Sequence, residues 1–224
     1  MLSYLPLVII LGGLGIMAYF LTRSGKKSED KRVAVAEQRG WDYTPYTSAY
    51  VLNVPDEDRN IMYKLSGKSE AGIDWEMTAR CWKTIEKSST LNLELNASSE
   101  FTAGKRFDDH FLIMPHDGIV IPDFFLAEIF KRLNFPVDTP RVNAGKLPEE
   151  LNRKYALYAF SPPKQDWLSS AAETLNNWWT RFPGKNKALI MTGGPGGVKV
   201  RTEMQIEKET EMEFFVDSAL ALID

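Results

Sequence analysis

His110 and His116 are the two imidazoles of the chain, and each stands beside an aspartate, Asp109 and Asp117. A carboxylate next to a histidine can orient its ring for proton transfer or for holding a metal. The spacing argues against one shared site. Residues 110–115, HFLIMP, form a continuous apolar run that reads as a strand. Along an extended chain, six residues set the two rings roughly 20 Å apart, so they read as polar residues at the ends of a strand. Zinc would need carboxylates as well, because the chain has a single thiol, Cys81. Cys81 is in phase with Ile73, Trp75, Met77 and Ala79. That phase puts it on a buried strand face, where a thiol behaves as a small hydrophobe.

Four further stretches resemble known chemistry and fail on detail. Gly67-Lys68-Ser69 matches the end of a phosphate loop, but Met62 stands where the first glycine belongs and a strand follows instead of a helix. Asp56-Glu57-Asp58-Arg59-Asn60 opens like a calcium loop, yet Ile61 replaces the turn glycine and Gly67 the closing glutamate. Ser161-Pro162-Pro163-Lys164 has the S-x-x-K spacing, but its two prolines exclude a normal helix interior. Gly193-Gly194-Pro195-Gly196-Gly197 joins two strands and reads as a wide hairpin turn. No catalytic, cofactor-binding or metal residue is assigned, and no cofactor is expected.

The elements that position these residues divide sharply. All the charges of this 224-residue chain, net −3, follow residue 22. Ser3–Thr22 is an uncharged run whose helix would be roughly 30 Å long, a bilayer's hydrocarbon thickness. Nothing basic precedes it, and no small-x-small site or cysteine follows, so it reads as an uncleaved transmembrane helix over residues 1–22. Arg23, Lys26, Lys27, Lys31 and Arg32 form a basic membrane flank. By the positive-inside rule this flank predicts a single-pass inner-membrane protein with a cytoplasmic domain. The flank can also meet anionic headgroups. Gly12, Gly13, Gly15 and Ala18 would let a second helix approach, which leaves a homo-oligomer open. Beyond Arg32 acidic residues outnumber basic ones, which argues against nucleic acid as a partner.

Residues 23–39 read as a juxtamembrane linker helix, capped by Ser28 and ended by Gly40. Residues 40–224 read as one soluble domain with a candidate joint near 135–151. Strands are expected at 60–66, 72–82, 90–96, 110–115, 154–160, 187–191 and 198–204, the early ones as an antiparallel meander. Helices are expected at 123–133, 164–182 and 209–223. The fold class is α+β, an antiparallel sheet with packed helices behind the membrane helix. Phe124, Phe125 and Phe130 give the helix at 123–133 more apolar surface than one stripe needs, and Trp179 lies beside the core stripe that Trp178 continues. These four are the candidate interface residues.

Arg39-Gly40-Trp41-Asp42-Tyr43, Leu65-Ser66-Gly67 and Gly72-Ile73-Asp74-Trp75 resemble a loose group of uncharacterised bacterial single-pass membrane proteins. They share an N-terminal anchor, a basic flank and a cytoplasmic domain of unknown function. The resemblance implies no activity and no site residues. The functional expectation is a non-enzymatic, membrane-anchored module that binds a protein partner or serves the envelope. The alternatives are a membrane-surface or lipid sensor, or an enzyme without a recognisable motif.

Overall fold

A computed structural model describes residues 26–46, 60–85, 93–116, 123–142 and 148–224. The expected membrane helix, Arg23 and the acidic stretch at 56–59 lie outside the described residues. Among the described residues no helix is long and apolar enough to cross a membrane. The fold is α+β, as expected. Eight strands form one antiparallel sheet: β1 (Asp42–Pro45), β2 (Ile61–Lys68), β3 (Asp74–Ile85), β4 (Leu93–Ala103), β5 (Phe111–Pro115), β6 (Tyr155–Ala159), β7 (Ile190–Gly194) and β8 (Gly197–Thr202). Their order is β1-β2-β3-β4-β8-β7-β5-β6.

The first four strands form a meander as expected, but β5, expected to continue it, does not pair with β4. The β7–β8 hairpin then inserts between β4 and β5, so the two halves of the sheet meet through the last two strands of the chain. Its turn is tighter than expected: Gly194 pairs with Gly197, leaving Pro195 and Gly196 as the two turn residues. β5 pairs on both edges, with β6 and β7, and is covered on both faces, Phe111 and Ile113 in one core and Leu112 and Met114 in another, which explains its uninterrupted apolar sequence.

One face of the sheet is covered by α1 (residues 26–39), α4 (Gln165–Arg181) and α5 (Glu209–Ala221), separated in the chain by α2 (Asp123–Arg132) and the short α3 (Glu149–Asn152). Tyr63, Leu65, Met77, Phe101, Phe111 and Val200 from the strands meet Leu168, Leu175, Trp178, Phe215 and Val216 from the helices in the main core. Trp178 is fully buried, stacks on Phe214 and donates its indole N–H to Lys187 O at 2.8 Å. The same carbonyl accepts from Thr202 Oγ1 at 2.9 Å. The α4–α5 pair is thereby fixed to the sheet through one acceptor.

α1 is built into this layer. Gly40, at φ +68°, ends it, with Gly40 N–H donating to Glu37 O and Trp41 N–H to Ala36 O. These bonds satisfy its last carbonyls, a conformation glycine adopts without steric cost. Ala36 is buried in the main core. Ser28 lies inside the helix and not at its cap, donating to Glu207 O at 3.2 Å. Arg32 is only 8% exposed. Its guanidinium donates to Glu207 O at 2.7 Å, to Ser28 Oγ at 3.0 Å and to the Tyr43 hydroxyl at 3.3 Å, and lies 4.9 Å from the centre of the Tyr63 ring. Tyr63 donates its hydroxyl to Ile206 O at 2.8 Å, and burial pushes its phenol pKa upward, so it remains a neutral donor. Lys31 pairs with Glu209 at 2.8 Å, and Arg39 pairs with Asp217. Two residues of the basic flank, Lys31 and Arg32, are thus held by the domain itself, whereas Lys26 and Lys27 are exposed.

Arg32→Ala removes three charge-assisted bonds and leaves buried acceptors unmatched, for an expected loss of about 2–4 kcal/mol. Lys26→Ala and Lys27→Ala should change stability by less than about 0.5 kcal/mol. Urea unfolding of the full chain in mild detergent checks both. Lys31 holds the Glu209 carboxyl below its ordinary value of 4.5. That contribution is present above 4.5 and is lost as pH falls through the lowered folded value. Glu209→Gln should therefore cost a little stability at pH 7 and progressively less on acidification, read from melting temperatures across that range.

Candidate functional site

The opposite face of the sheet is only half covered. α2 packs over its β5–β6–β7 end, where Leu112, Met114, Phe130, Phe135, Ala156 and Tyr158 form a second, smaller core. Phe130 is fully buried and makes edge contacts with Phe135 (5.3 Å) and Tyr158 (5.1 Å). Asn134, at φ +55°, turns the chain at the end of α2 and sends Phe135 back into this core. The left-handed turn ends the helix, with Phe135 N–H donating to Phe130 O at 2.8 Å.

Beyond α2, the β2–β3–β4–β8 half of the face carries alternating polar side chains and no covering helix among the described residues. An open groove of about 660 Å³ lies there, bounded by Leu133–Phe135 on one side and by the β7–β8 turn and Gly104 on another. Its floor includes Glu76, Thr102, Thr192 and Lys199. A smaller recess of about 80 Å³ shares Asn134, Thr192 and Lys199 with it and adds Arg132 and Arg201. The charges are matched in pairs: Lys199–Glu100 at 3.3 Å, Lys64–Glu76 at 3.9 Å and Lys68–Asp74 at 2.6 Å. Such exposed pairs are worth about 0–1 kcal/mol each, so a partner can exchange them at little cost. Arg201 lies 3.6 Å from Glu203, and its buried Nε has no acceptor among the described residues. The groove thus presents donors and acceptors of both signs.

Glycine makes the groove wall possible. A Cβ on Gly194 would lie 2.7 Å from the His110 ring, and one on Gly193 would lie 2.4 Å from the Phe111 ring. The glycines let both rings pack closely on β7, Phe111 in the main core and His110 at the groove. His110 is therefore a wall of the groove, with its backbone N–H donating to Asp109 Oδ1 at 2.7 Å. His116 sits at the other end of β5, its Nε2 donating to Asn152 O at 2.8 Å. The two rings stand at opposite ends of one strand, and no group of three or more potential metal ligands occurs among the described residues.

The other sequence candidates separate in the same way. Gly67 and Lys68 end β2, and Ser69–Gly72 forms the hairpin turn to β3, with Ser69 N–H donating to Ile73 O at 2.9 Å. Cys81 is half-buried and not fully buried as its phase predicts; it stands one position past the Ile61–Arg80 pair with which β2 begins among the described residues. Ser161 and Lys164 border a separate cavity of about 400 Å³ with Lys105, Arg106 and Trp167. Phe124 and Phe125 are 68% and 54% exposed, with ring centres 3.8 Å apart at the start of α2. Trp179 is half-buried against Tyr155 at 5.6 Å. The groove itself was missed in the sequence. Its only local signal was the glycine cluster, which reads as a turn whether or not it borders a surface.

Compared with known proteins, the chain matches no family model, no curated protein and no solved structure.

Gly193→Ala forces the buried Phe111 ring to move and should cost about 1–3 kcal/mol. Gly196→Ala meets nothing within 4 Å and should be close to neutral. Equilibrium unfolding of the two variants side by side checks the close packing of β7 against Phe111.

Proposed function

We propose that this chain is a membrane-anchored binding module, held by residues 3–22, with its sheet domain on the cytoplasmic side. A protein partner docks on the exposed start of α2, the helix whose far end borders the uncovered half of the sheet. The observation that carries this reading is the Phe124–Phe125 pair. Two adjacent aromatic rings more than half exposed leave apolar area that a domain of this size ordinarily buries, and such clusters mark contact surfaces. Phe130, on the same helix, is fully buried, so α2 already has its packing stripe and the other two rings are surplus to folding. Among the described groove residues no nucleophile is placed beside a base, which favours binding over catalysis.

Phe124→Ser/Phe125→Ser should leave the unfolding midpoint nearly unchanged while abolishing photocross-linking from a benzophenone placed at Asp123 in intact membranes. Unchanged cross-linking, or a stability loss of the roughly 3–5 kcal/mol that follows truncation of a buried aromatic, contradicts the proposal. For orientation, a reporter active only in the cytoplasm and fused after Asp224 should be active. Activity only of an external reporter would reverse the topology.

A further inference from the structure

Two loops leave the sheet side by side. Phe111 at the start of β5 pairs with Ala159 at the end of β6. Residues 104–110, which lead into β5, and residues 160–164, which lead from β6 into α4, therefore emerge at the same end of neighbouring strands. The cavity of about 400 Å³ lies between them, and all of its lining belongs to the described residues. It shares no lining residue with the groove.

Both walls are held in place by the fold itself. Gly104 N–H donates to Asp74 O at 3.2 Å and Phe107 N–H to Gly194 O at 3.1 Å, which pins the first loop to the sheet. In the second loop Pro162 and Pro163 fix their own φ. Lys164 O then accepts Leu168 N–H at 3.0 Å in the first turn of α4. Aromatic rings join the two walls. Trp167 meets Phe107 edge-on at 5.1 Å and lies 5.1 Å from Phe111. Its indole N–H is already given to Leu222 O at 3.1 Å. Phe107 and Trp167 remain half-buried, so they offer an occupant ring surface.

The charges around these rings differ from those of the groove. Lys105 and Arg106 come from one wall and Lys164 from the other. Among the described residues none of these three side chains makes a hydrogen bond or an ion pair. The groove's Lys199, by contrast, is paired with a carboxylate. Asp108 and Asp109 also line the cavity, but one oxygen of Asp109 already accepts His110 N–H at 2.7 Å. Three basic residues against two acidic ones leave a positive surplus in a chain of net −3. Cations that line one cavity from two walls repel each other, and an anion between them relieves that repulsion.

We infer that this cavity binds a small organic anion: an aromatic ring that carries a carboxylate or phosphate group. The ring packs on Trp167 and Phe107, where aromatic pairs add to simple area burial. The anionic group meets Lys105, Arg106 and Lys164, for which charge-assisted hydrogen bonds are the strong kind. The volume is that of a small-molecule site. Walls fixed in advance keep the ordering cost of binding low. The inference neither uses nor requires the partner surface at the start of α2.

Calorimetric titration of the full chain in mild detergent, with detergent alone as the blank, tests it. The probes are 2-naphthoate and 2-naphthyl phosphate, with 2-naphthylmethanol as the ring without charge and inorganic phosphate as the charge without ring. One-to-one binding of either aromatic anion, at least about tenfold tighter than both controls, is expected, and the tighter of the two names the anionic group. Lys105→Gln/Arg106→Gln/Lys164→Gln should weaken that binding by at least about tenfold at an unchanged melting temperature, because these side chains have no bonds to lose. Lys26→Gln/Lys27→Gln/Lys131→Gln removes the same charge elsewhere and should bind as the parent does. Equal binding of 2-naphthylmethanol means an apolar hollow, and equal binding of inorganic phosphate means a bare cationic patch; each overturns the inference. Undiminished binding by the cavity variant, or no binding of either aromatic anion, overturns it as well.

Discussion

Arg32 carries a full positive charge to a position only 8% exposed, where an unmatched cation would cost several kcal/mol. It is matched completely enough to stay: a backbone carbonyl, two hydroxyls and the face of a tyrosine surround it. Each partner comes from a different part of the chain. Tyr43 belongs to β1, Tyr63 to β2, Ser28 to α1 and Glu207 to the segment entering α5. One guanidinium therefore ties the first helix, the edge of the sheet and the last helix into one body. Lysine, with a single compact ammonium, lacks the planar fork to reach these separated acceptors.

The consequence is a domain with two unequal faces. Helices from the beginning, middle and end of the described chain fill one face, and α2 alone serves the other. Main-chain hydrogen bonding between neighbouring strands satisfies the interior of the sheet, so the uncovered half needs no helix, provided its outward side chains are polar. They are: Glu76, Thr78, Glu100, Thr102, Lys199 and Arg201 alternate with the buried residues of β3, β4 and β8. The exposed rings of Phe124 and Phe125 sit at the start of α2, at the other end of that helix from the groove-bordering Leu133–Phe135.

The strands were legible where alternation is strict. Trp75, Met77 and Ala79 are buried as their phase requires, and the 168-171-175-178 stripe of α4 is buried throughout. The glycine cluster marked its hairpin for the same local reason. Strand order was not legible, because the insertion of β7–β8 between β4 and β5 is decided by packing between residues nearly 100 positions apart. Arg32 was misleading in a different way. Within RSGKKSEDKR it is one of several cations and carries the same topology signal as its neighbours. Its burial depends on a carbonyl 175 residues away, which no local pattern reports. Ser28 misled similarly, since its hydroxyl serves that same carbonyl and not the start of a helix.

The central claim is that α1 belongs to the folded domain and is not a free tether. Hydrogen exchange of the full chain in a lipid bilayer, followed at the α1 amides of residues 32–39, tests it most directly. The account predicts protection of these amides comparable to those of α5, with the two helices opening together as denaturant is raised. Exchange of α1 at the rate of a fraying helix while α5 remains protected would contradict it.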